Sequence, residues 1–214
     1  MLQYKYKLLI LFIFFMFLVV NNTCSSDQPK KEKIDMNNKN YIKATFAGGC
    51  FWCMQPPYDD LPGVISTTVG YTGGTKVNPT YEEVSSGTTG HAETVEIVFD
   101  STKISYVDLL KVFWQNIDPT NAEGQFADLG SQYRTAIFYH DEKQKEQAIK
   151  SKMELNASGK FDKPIVTEIV PAGTFYPAEE YHQQFYKHHP LRYNGYKIGS
   201  GRSDFLKQKW GKTK

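Results

Sequence analysis

Stretches in which apolar and polar residues alternate, or in which β-branched residues dominate, predict five strands. The clearest is His91–Asp100, where Ala92 to Val98 on one side alternates with Glu93 to Phe99 on the other. Glu93 therefore shares the apolar side of its strand with Val95. The five predicted strands are Tyr41–Phe46, Gly63–Tyr71, His91–Asp100, Arg134–Tyr139 and Pro164–Val170.

Other stretches carry the signals of helices. Ser105–Asn116 has apolar residues at helical spacing and predicts an amphipathic helix. In Pro79–Ser86, Thr80 and Glu83 have the spacing of a capping box, which marks the start of a short helix. Three further pieces are predicted: a short helix after Gly49 that Pro56 and Pro57 end, a charged helix over Asp141–Leu155, and a short helical piece within the loop after Pro177.

The order of these elements favours one fold class. Strands and helices alternate without βαβ regularity, and no glycine-rich phosphate loop follows a strand. We therefore predict an α/β protein, a two-layer α/β sandwich that elaborates a ferredoxin-like mixed sheet.

The amino terminus has the pattern of a secretory signal. Lys5 and Lys7 precede the uncharged apolar run Leu8–Val20, which is thirteen residues long and too short to span a bilayer. We predict a signal peptide over residues 1–23 and export to a bacterial periplasm or cell envelope. Cys24 stands where a lipoprotein carries its lipid, which leaves two readings open: a lipid anchor, or a plain cleaved signal.

Residues 24–40 are polar, rich in Lys and Asn, and lack apolar periodicity, which predicts a flexible linker. Residues 41–214 then form one catalytic domain, long enough for a core. The formal charge is +2 and falls to about zero without the first 23 residues, which argues against a nucleic-acid partner. The sequence gives no basis for an oligomer, so we predict a monomer.

The run Gly48-Gly-Cys-Phe-Trp-Cys53 is the strongest candidate for chemistry. We expect Cys50 at the start of the short helix, where free N–H groups and the helix dipole favour a thiolate. Cys53 follows one turn later, close enough to attack an oxidised Cys50. A structural disulfide across three residues would stabilise little, and two cysteines are too few for a metal site.

The same run resembles the signature of the A-type peptide methionine sulfoxide reductases. Six other blocks look like that family's motifs and occur in its order: Leu61–Val64, Val69–Gly74, Asn78–Tyr81, Gly90–Glu93, Gly130–Arg134 and Tyr181–Gln184. The resemblance covers residues 43–198, which is essentially the whole predicted domain.

The resemblance implies a role for each matching residue. Cys50 would attack the sulfur of methionine-S-sulfoxide, and Glu93 would be the acid. A carboxyl among apolar groups has a raised pKa, which suits that role. The substrate-binding residues implied are an aromatic pocket for the S-methyl group, two hydroxyls for the sulfoxide oxygen, and a carboxyl near the substrate: Phe51, Trp52, Tyr81, Tyr133 and Asp128.

Cys53 stands where many members of the family have Gly. Since no cysteine follows it, Cys53 is the one candidate to condense with the Cys50 sulfenic acid into a disulfide. A thioredoxin-like dithiol would then reduce that disulfide, with no bound cofactor and no metal. Substrates would be oxidised proteins, peptides or free methionine sulfoxide, and export would require the reductant to lie outside the cytoplasm.

Two other functions remain open from the sequence. Cys50-Phe-Trp-Cys53 is a C-x-x-C motif, as in thiol–disulfide oxidoreductases, although these usually place an aromatic residue before the first cysteine. A tethered, non-catalytic module that binds oxidised partners would also suit the signal and linker. Glu179 and His182 have the spacing of a di-iron ligand pair, but the pair occurs once, so we predict a structural hydrogen bond for His182.

Overall fold

The computed structural model describes Asp35 and residues 37–211. The predicted signal peptide, Cys24 and most of the predicted linker lie outside these residues, so their predictions stand untested. Within the described part, no helix has both the length and the apolar character needed to cross a bilayer.

A six-stranded mixed sheet forms the centre of the domain, in the order β7-β6-β1-β3-β2-β8. Its β6–β7 pair is parallel, and the other neighbours are antiparallel. The strands are β1 (Tyr41–Gly48), β2 (Val64–Thr72), β3 (Ala92–Asp100), β6 (Thr135–Tyr139), β7 (Glu168–Pro171) and β8 (Tyr176–Pro177), with a separate ribbon of β4 (Gly124–Gln125) and β5 (Asp128–Leu129).

Helices supply the second layer and the walls of the site. They are α1 (Phe51–Met54), α2 (Pro56–Asp59), α3 (Tyr81–Ser85), α4 (Tyr106–Trp114), α5 (Glu142–Ala157), α6 (Phe185–His188), α7 (Pro190–Gly199) and α8 (Arg202–Trp210). Two 3₁₀ turns, Ser131–Tyr133 and Glu180–His182, complete the described elements. The predicted capping box is confirmed, since Thr80 accepts from the Glu83 N–H and Glu83 accepts from the Thr80 N–H.

The two faces of the sheet differ in chemistry. One face packs against α4 and α5 through a core that includes Phe46, Val95 and Ile137. The other face carries polar residues such as Lys43 and Glu96, whose charged groups pair at 3.0 Å. The predicted two-layer α/β sandwich with a mixed sheet is confirmed, and Glu93 lies on the helix-covered side as its strand pattern predicted.

The carboxyl-terminal part of the prediction needs correction. The strand predicted over Pro164–Val170 is confined to β7, because the Val166 N–H donates to Pro119 rather than to a sheet neighbour. Helix α6 lies within the predicted helical piece, whereas the chain after His189 forms α7 and α8 rather than the predicted loop. The helical piece itself is interrupted at Gln184, which has a φ of 49°.

Candidate active site

The glycine pair builds the turn that carries Cys50. β1 ends at Gly48, and Gly49 has a φ of +78°, a conformation that L side chains rarely adopt. A Cβ at Gly49 would lie 2.4 Å from Gln125 Cβ, and one at Gly48 would lie 2.6 Å from Met54. Only glycines allow the strand to pass so close to its neighbours and deliver Cys50 to the cap position of α1.

Cys50 is a buried, free thiol, and its environment corrects the expectation of a resting thiolate. Burial, the hydrogen bond with Cys53 and the Glu93 carboxyl together raise the pKa of Cys50 well above its usual value. The Cys50 side chain makes no capping hydrogen bond to α1, and the first N–H of α1, that of Phe51, donates instead to Glu93 Oε2 at 3.0 Å. The first N–H of α1 thus stabilises the Glu93 carboxyl rather than the Cys50 sulfur.

Glu93 is a buried carboxyl with a raised pKa, as the sequence predicted. It is 3% exposed, and burial raises the pKa of Glu93 to about 8 even though the Phe51 N–H opposes the shift. At neutral pH most Glu93 carboxyls therefore hold a proton beside Cys50. A neutral carboxyl in this position can both accept from Phe51 and donate a proton to a bound oxygen.

Cys53 has the opposite tendency. The hydrogen bond with Cys50 lowers the pKa of Cys53, burial opposes the shift, and the charges of Arg202 and Lys197 lower it further. Cys53 packs with Phe185 and Tyr193 on the side of α1 that faces the carboxyl-terminal helices. Of the two thiols, Cys53 is the more readily ionised.

Arg202 is a fully buried cation at the first position of α8, 1% exposed. Its guanidinium donates to the carbonyls of Gly48 at 2.9 Å and Asn116 at 2.6 Å, and lies 4.6 Å from the centre of the Phe126 ring. Arg202 thus fixes the carbonyl of Gly48, the residue that precedes the Gly49-Cys50 turn, through a hydrogen bond.

The predicted hydroxyl and carboxyl groups lie around Cys50 and Glu93. Burial and then Glu93 raise the pKa of Tyr81 to about 12, with Cys50 contributing as well. The same two causes raise the pKa of Tyr133, and Asp128 and Cys50 add to the shift. Asp128 is half-buried, burial raises its pKa, and it accepts a hydrogen bond from Tyr196.

The two predicted aromatic residues occupy different depths. Phe51 is 1% exposed and packs with Val69 and Tyr71, so its ring is the deeper of the two in the predicted pocket for the S-methyl group. Trp52 is half-buried, stacks on Phe185 at 3.7 Å between ring centres, and donates from Nε1 to His182 Nδ1 at 3.0 Å.

The predicted structural role of His182 is confirmed by its hydrogen bond with Trp52. Because Nδ1 accepts that bond, the neutral ring carries its proton on Nε2. Burial lowers the pKa of His182, which keeps the ring neutral. Glu179 supports the other side of the site, accepting from the Tyr71 hydroxyl and the Tyr81 N–H at 2.9 Å each.

Tyr196 and Arg202 are site residues that the sequence reasoning missed. Burial, then Cys50, and the hydrogen bonds with Asp128 and Cys50 raise the pKa of Tyr196. The one available signal was the i,i+3 spacing of Tyr193 and Tyr196. Arg202 gave no signal, because its neighbours are polar and its burial depends on the packing of α8.

Among the described residues, no group of three His, Cys, Asp or Glu side chains could hold a metal ion. The arrangement is instead that of a protonated acid, two neighbouring thiols, and hydroxyl groups around one buried sulfur. Such a site can transfer two electrons from sulfur to a bound substrate while a proton reaches an oxygen of that substrate.

Comparison with protein families decides what kind of enzyme this is. The family model described as "Peptide methionine sulfoxide reductase" matches residues 42–214. The chain belongs to the peptide methionine sulfoxide reductase family. Its predicted identity and its class, an oxidoreductase, are thereby confirmed. The family match begins at residue 42, so the predicted signal and the whole predicted linker precede it.

Individual relatives agree with the family match. The peptide methionine sulfoxide reductase MsrA of Listeria monocytogenes serotype 4a is 58% identical over 82% of this chain and 99% of its own length. The MsrA of Bacillus subtilis is 57% identical over 82% of this chain and 99% of its own length.

Solved structures share the fold. The reduced form of Mxr1 from Saccharomyces cerevisiae has a TM-score of 0.67 and 30% identity, over 71% of this chain and 87% of Mxr1. Methionine sulfoxide reductase A of Corynebacterium diphtheriae has a TM-score of 0.63 and 34% identity, over 72% of this chain and 77% of that one. A third structure shows Mxr1 in complex with Trx2, at 23% identity and a TM-score of 0.52.

Proposed function

We propose that the enzyme reduces methionine-S-sulfoxide to methionine, both free and within polypeptides. The observation that carries the proposal is the buried Glu93 carboxyl, with a pKa of about 8, hydrogen-bonded to the residue that follows Cys50. The choice of the S epimer rests on membership of the family.

In the first step the Cys50 sulfur bonds to the sulfoxide sulfur. Glu93 donates its proton to the sulfoxide oxygen, and its carboxylate takes up the proton that the Cys50 thiol loses, so no net proton is consumed. Tyr81 and Tyr133 hold that oxygen, Phe51 and Trp52 enclose the S-methyl group, and Asp128 lies near the substrate. The oxygen then passes from the substrate sulfur to the Cys50 sulfur, and the bond between the two sulfurs breaks. The thioether leaves as methionine and Cys50 becomes a sulfenic acid, so the substrate sulfur gains the two electrons that Cys50 loses.

In the second step the Cys53 thiolate attacks the Cys50 sulfur. A disulfide forms and the sulfenic oxygen leaves as water. The lowered pKa of Cys53, through its hydrogen bond with Cys50 and then the charges of Arg202 and Lys197, supports this role.

In the third step a thioredoxin-like dithiol reduces the Cys50–Cys53 disulfide and returns both thiols. The complex of Mxr1 with Trx2 supports such a partner. The cycle therefore needs an external dithiol and no bound cofactor.

The composition of the amino-terminal segment supports a site of repair outside the cytoplasm. Residues 1–23 have the composition of a signal peptide, and Cys24 is a candidate for lipidation. We infer that the enzyme repairs exported proteins with a reductant of the same compartment.

The direct test is an assay of the purified protein with a racemic methionine sulfoxide peptide and dithiothreitol. Wild type should consume half of the racemate, and Cys50→Ser should consume none. If neither protein acts while both bind the peptide equally, the chain is a binding module. If Cys50→Ser retains activity, the nucleophile is another group.

A further inference from the structure

Helix α7 has two faces with different exposure. Its inner face carries Tyr193, which packs with Cys53, and Tyr196, which donates to Asp128. Its outer face carries Leu191 and Ile198, which are 89% and 66% exposed. These two residues are seven apart and therefore lie on one side of the helix. One face of α7 thus forms part of the wall of the active site, and its opposite face is an exposed apolar surface.

Gly195 lies between Leu191 and Ile198 on the same side of α7, and a Cβ added there would meet nothing within 4 Å. We call Leu191, Gly195 and Ile198 the α7 stripe. Two large apolar side chains on one side of a helix, with no side chain between them, form a small continuous apolar surface that a partner can cover. The glycine leaves a shallow gap between the two side chains into which a partner's side chain could fit.

A cation links the α7 stripe to the reaction site. The Arg192 guanidinium lies 5.7 Å from the ring centres of both Trp52 and Phe185. Within the described part of the chain its contacts are with these rings and not with carboxylates. Residues 190–199, which form α7, contain Arg192 and Lys197 and no acidic residue. The exposed surface of α7 is therefore both apolar and positively charged.

We propose that the α7 stripe and Arg192 form a docking surface for the residues that flank methionine sulfoxide in a polypeptide substrate. The inference rests on the proposed function and specifies its substrate class: segments with acidic and apolar residues next to the oxidised methionine. An acidic flank would pair with Arg192, and an apolar flank would cover Leu191 and Ile198.

The position of Arg192 beside the predicted substrate pocket identifies the residues that flank methionine sulfoxide as the occupant of this surface. Trp52 is predicted to contact the S-methyl group, and Arg192 sits directly over Trp52. Residues flanking a bound methionine sulfoxide must leave the pocket past its wall, and α7 forms part of that wall through Tyr196. Free methionine sulfoxide has no flanking residues and therefore reports the chemistry alone.

Three five-residue peptides with a central methionine sulfoxide test the proposal. One has Asp at both adjacent positions and Leu at both ends, the second replaces Asp with Lys, and the third replaces Leu with Ser. Dithiothreitol is the reductant, so docking of a protein reductant plays no part. The kcat/KM for each peptide is divided by that for free methionine sulfoxide. The proteins compared are wild type, Arg192→Gln, the double variant Leu191→Ser with Ile198→Ser, and the control Lys207→Gln on α8.

Wild type and Lys207→Gln should prefer the Asp peptide over the Lys peptide by about threefold at low salt, as expected for one exposed charge pair. About 0.5 M salt should remove that preference. Arg192→Gln should lose it at low salt, while the double variant should lose a preference of about three- to tenfold for Leu over Ser ends.

Equal ratios in wild type and the variants would overturn the docking proposal while leaving the reductase function standing. Absence of turnover with free methionine sulfoxide would instead overturn the reductase function itself. Sedimentation of wild type and the double variant tests the alternative occupant of the α7 stripe, a second copy of the chain. A wild-type dimer that the double variant loses would assign the α7 stripe to a second copy of the chain and overturn the proposal.

Discussion

The Phe51 N–H donates to Glu93 Oε2 at 3.0 Å, so the residue after the nucleophile is fastened to the proposed acid. The bond connects α1 to β3 across the sheet's helix-covered face. It fixes the carboxyl beside Cys50 while leaving the second carboxyl oxygen free to carry a proton.

Replacing Glu93 by Gln should abolish most of the activity. Gln keeps an oxygen that can accept from Phe51 but has no acidic proton, so kcat should fall about 10²- to 10⁴-fold, the range for a general acid. The measurement is the single-turnover rate with excess methionine sulfoxide. Glu96→Gln is the matched control, since Glu96 lies on the same strand, faces the opposite side and pairs with Lys43. Equal rates for the two variants would contradict the assignment.

The raised pKa of Glu93 should make folding stability depend on pH. Its pKa rises from 4.5 to about 8 on folding, so the native state binds more protons between those values. The free energy of unfolding contributed by Glu93 is therefore fully present below pH 4.5 and is lost as pH rises to 8, by about 1.4 kcal/mol per pH unit.

Urea unfolding of wild type and Glu93→Gln at pH 5, 6.5 and 8 measures this loss, because other groups titrate alike in both proteins. The difference in unfolding free energy between the two should change in favour of Glu93→Gln as pH rises. Parallel pH profiles would show that Glu93 has an ordinary pKa in the fold.

Arg202 should contribute to the free energy of unfolding and should lower the pKa of Cys53. Arg202→Met leaves the Gly48 and Asn116 carbonyls without their donor and should cost about 2 to 4 kcal/mol of unfolding free energy. The pKa of Cys53 should rise, which a thiolate absorbance titration of the Cys50→Ser variant would detect. Lys207→Met, an exposed change on the same helix, should alter neither. An unchanged Cys53 titration would remove Arg202 from its electrostatic role.

Tyr196 should contribute to the reaction through its hydroxyl. Tyr196→Phe removes the hydrogen bond to Asp128, and the single-turnover rate should fall about tenfold, the equivalent of about 1.4 kcal/mol. Tyr186→Phe is the matched control, because Tyr186 also donates to an aspartate, Asp59. Both variants should lose about 1 kcal/mol of stability, and only Tyr196→Phe should lose activity.

Much of the fold could be predicted from local pattern. One face of β3 carries Val95, Ile97 and Phe99, which enter the main core, and the other carries Thr94 and Glu96 among smaller apolar residues. The side on which Glu93 lies therefore followed from its neighbours. The capping box of Thr80 and Glu83 marks the start of α3 correctly. The glycine pair at residues 48 and 49 indicated the turn before α1, because the backbone conformation of that turn requires glycine.

The missed parts depend on tertiary packing. α7 contains Gly195 and ends at Gly199, and its apolar stripe faces outward, so no buried periodicity reveals it. Arg202 is buried by contacts with residues 48 and 116, which are remote in the sequence. The sequence did not predict the raised pKa of Cys50, because its largest cause is burial of the thiol, which depends on tertiary packing. In addition, the first N–H of α1 donates to Glu93, a partner 42 residues away.

The measurement that tests the central claim most directly is a single turnover without reductant, followed by mass analysis of the protein. Wild type should release one equivalent of methionine and become two hydrogens lighter, with Cys50 and Cys53 joined. Cys53→Ser should also release one equivalent and gain one oxygen, on Cys50. Loss of the methionine product in Cys53→Ser, or oxidation of Cys53 before Cys50, would contradict the assignment of nucleophile and resolving thiol.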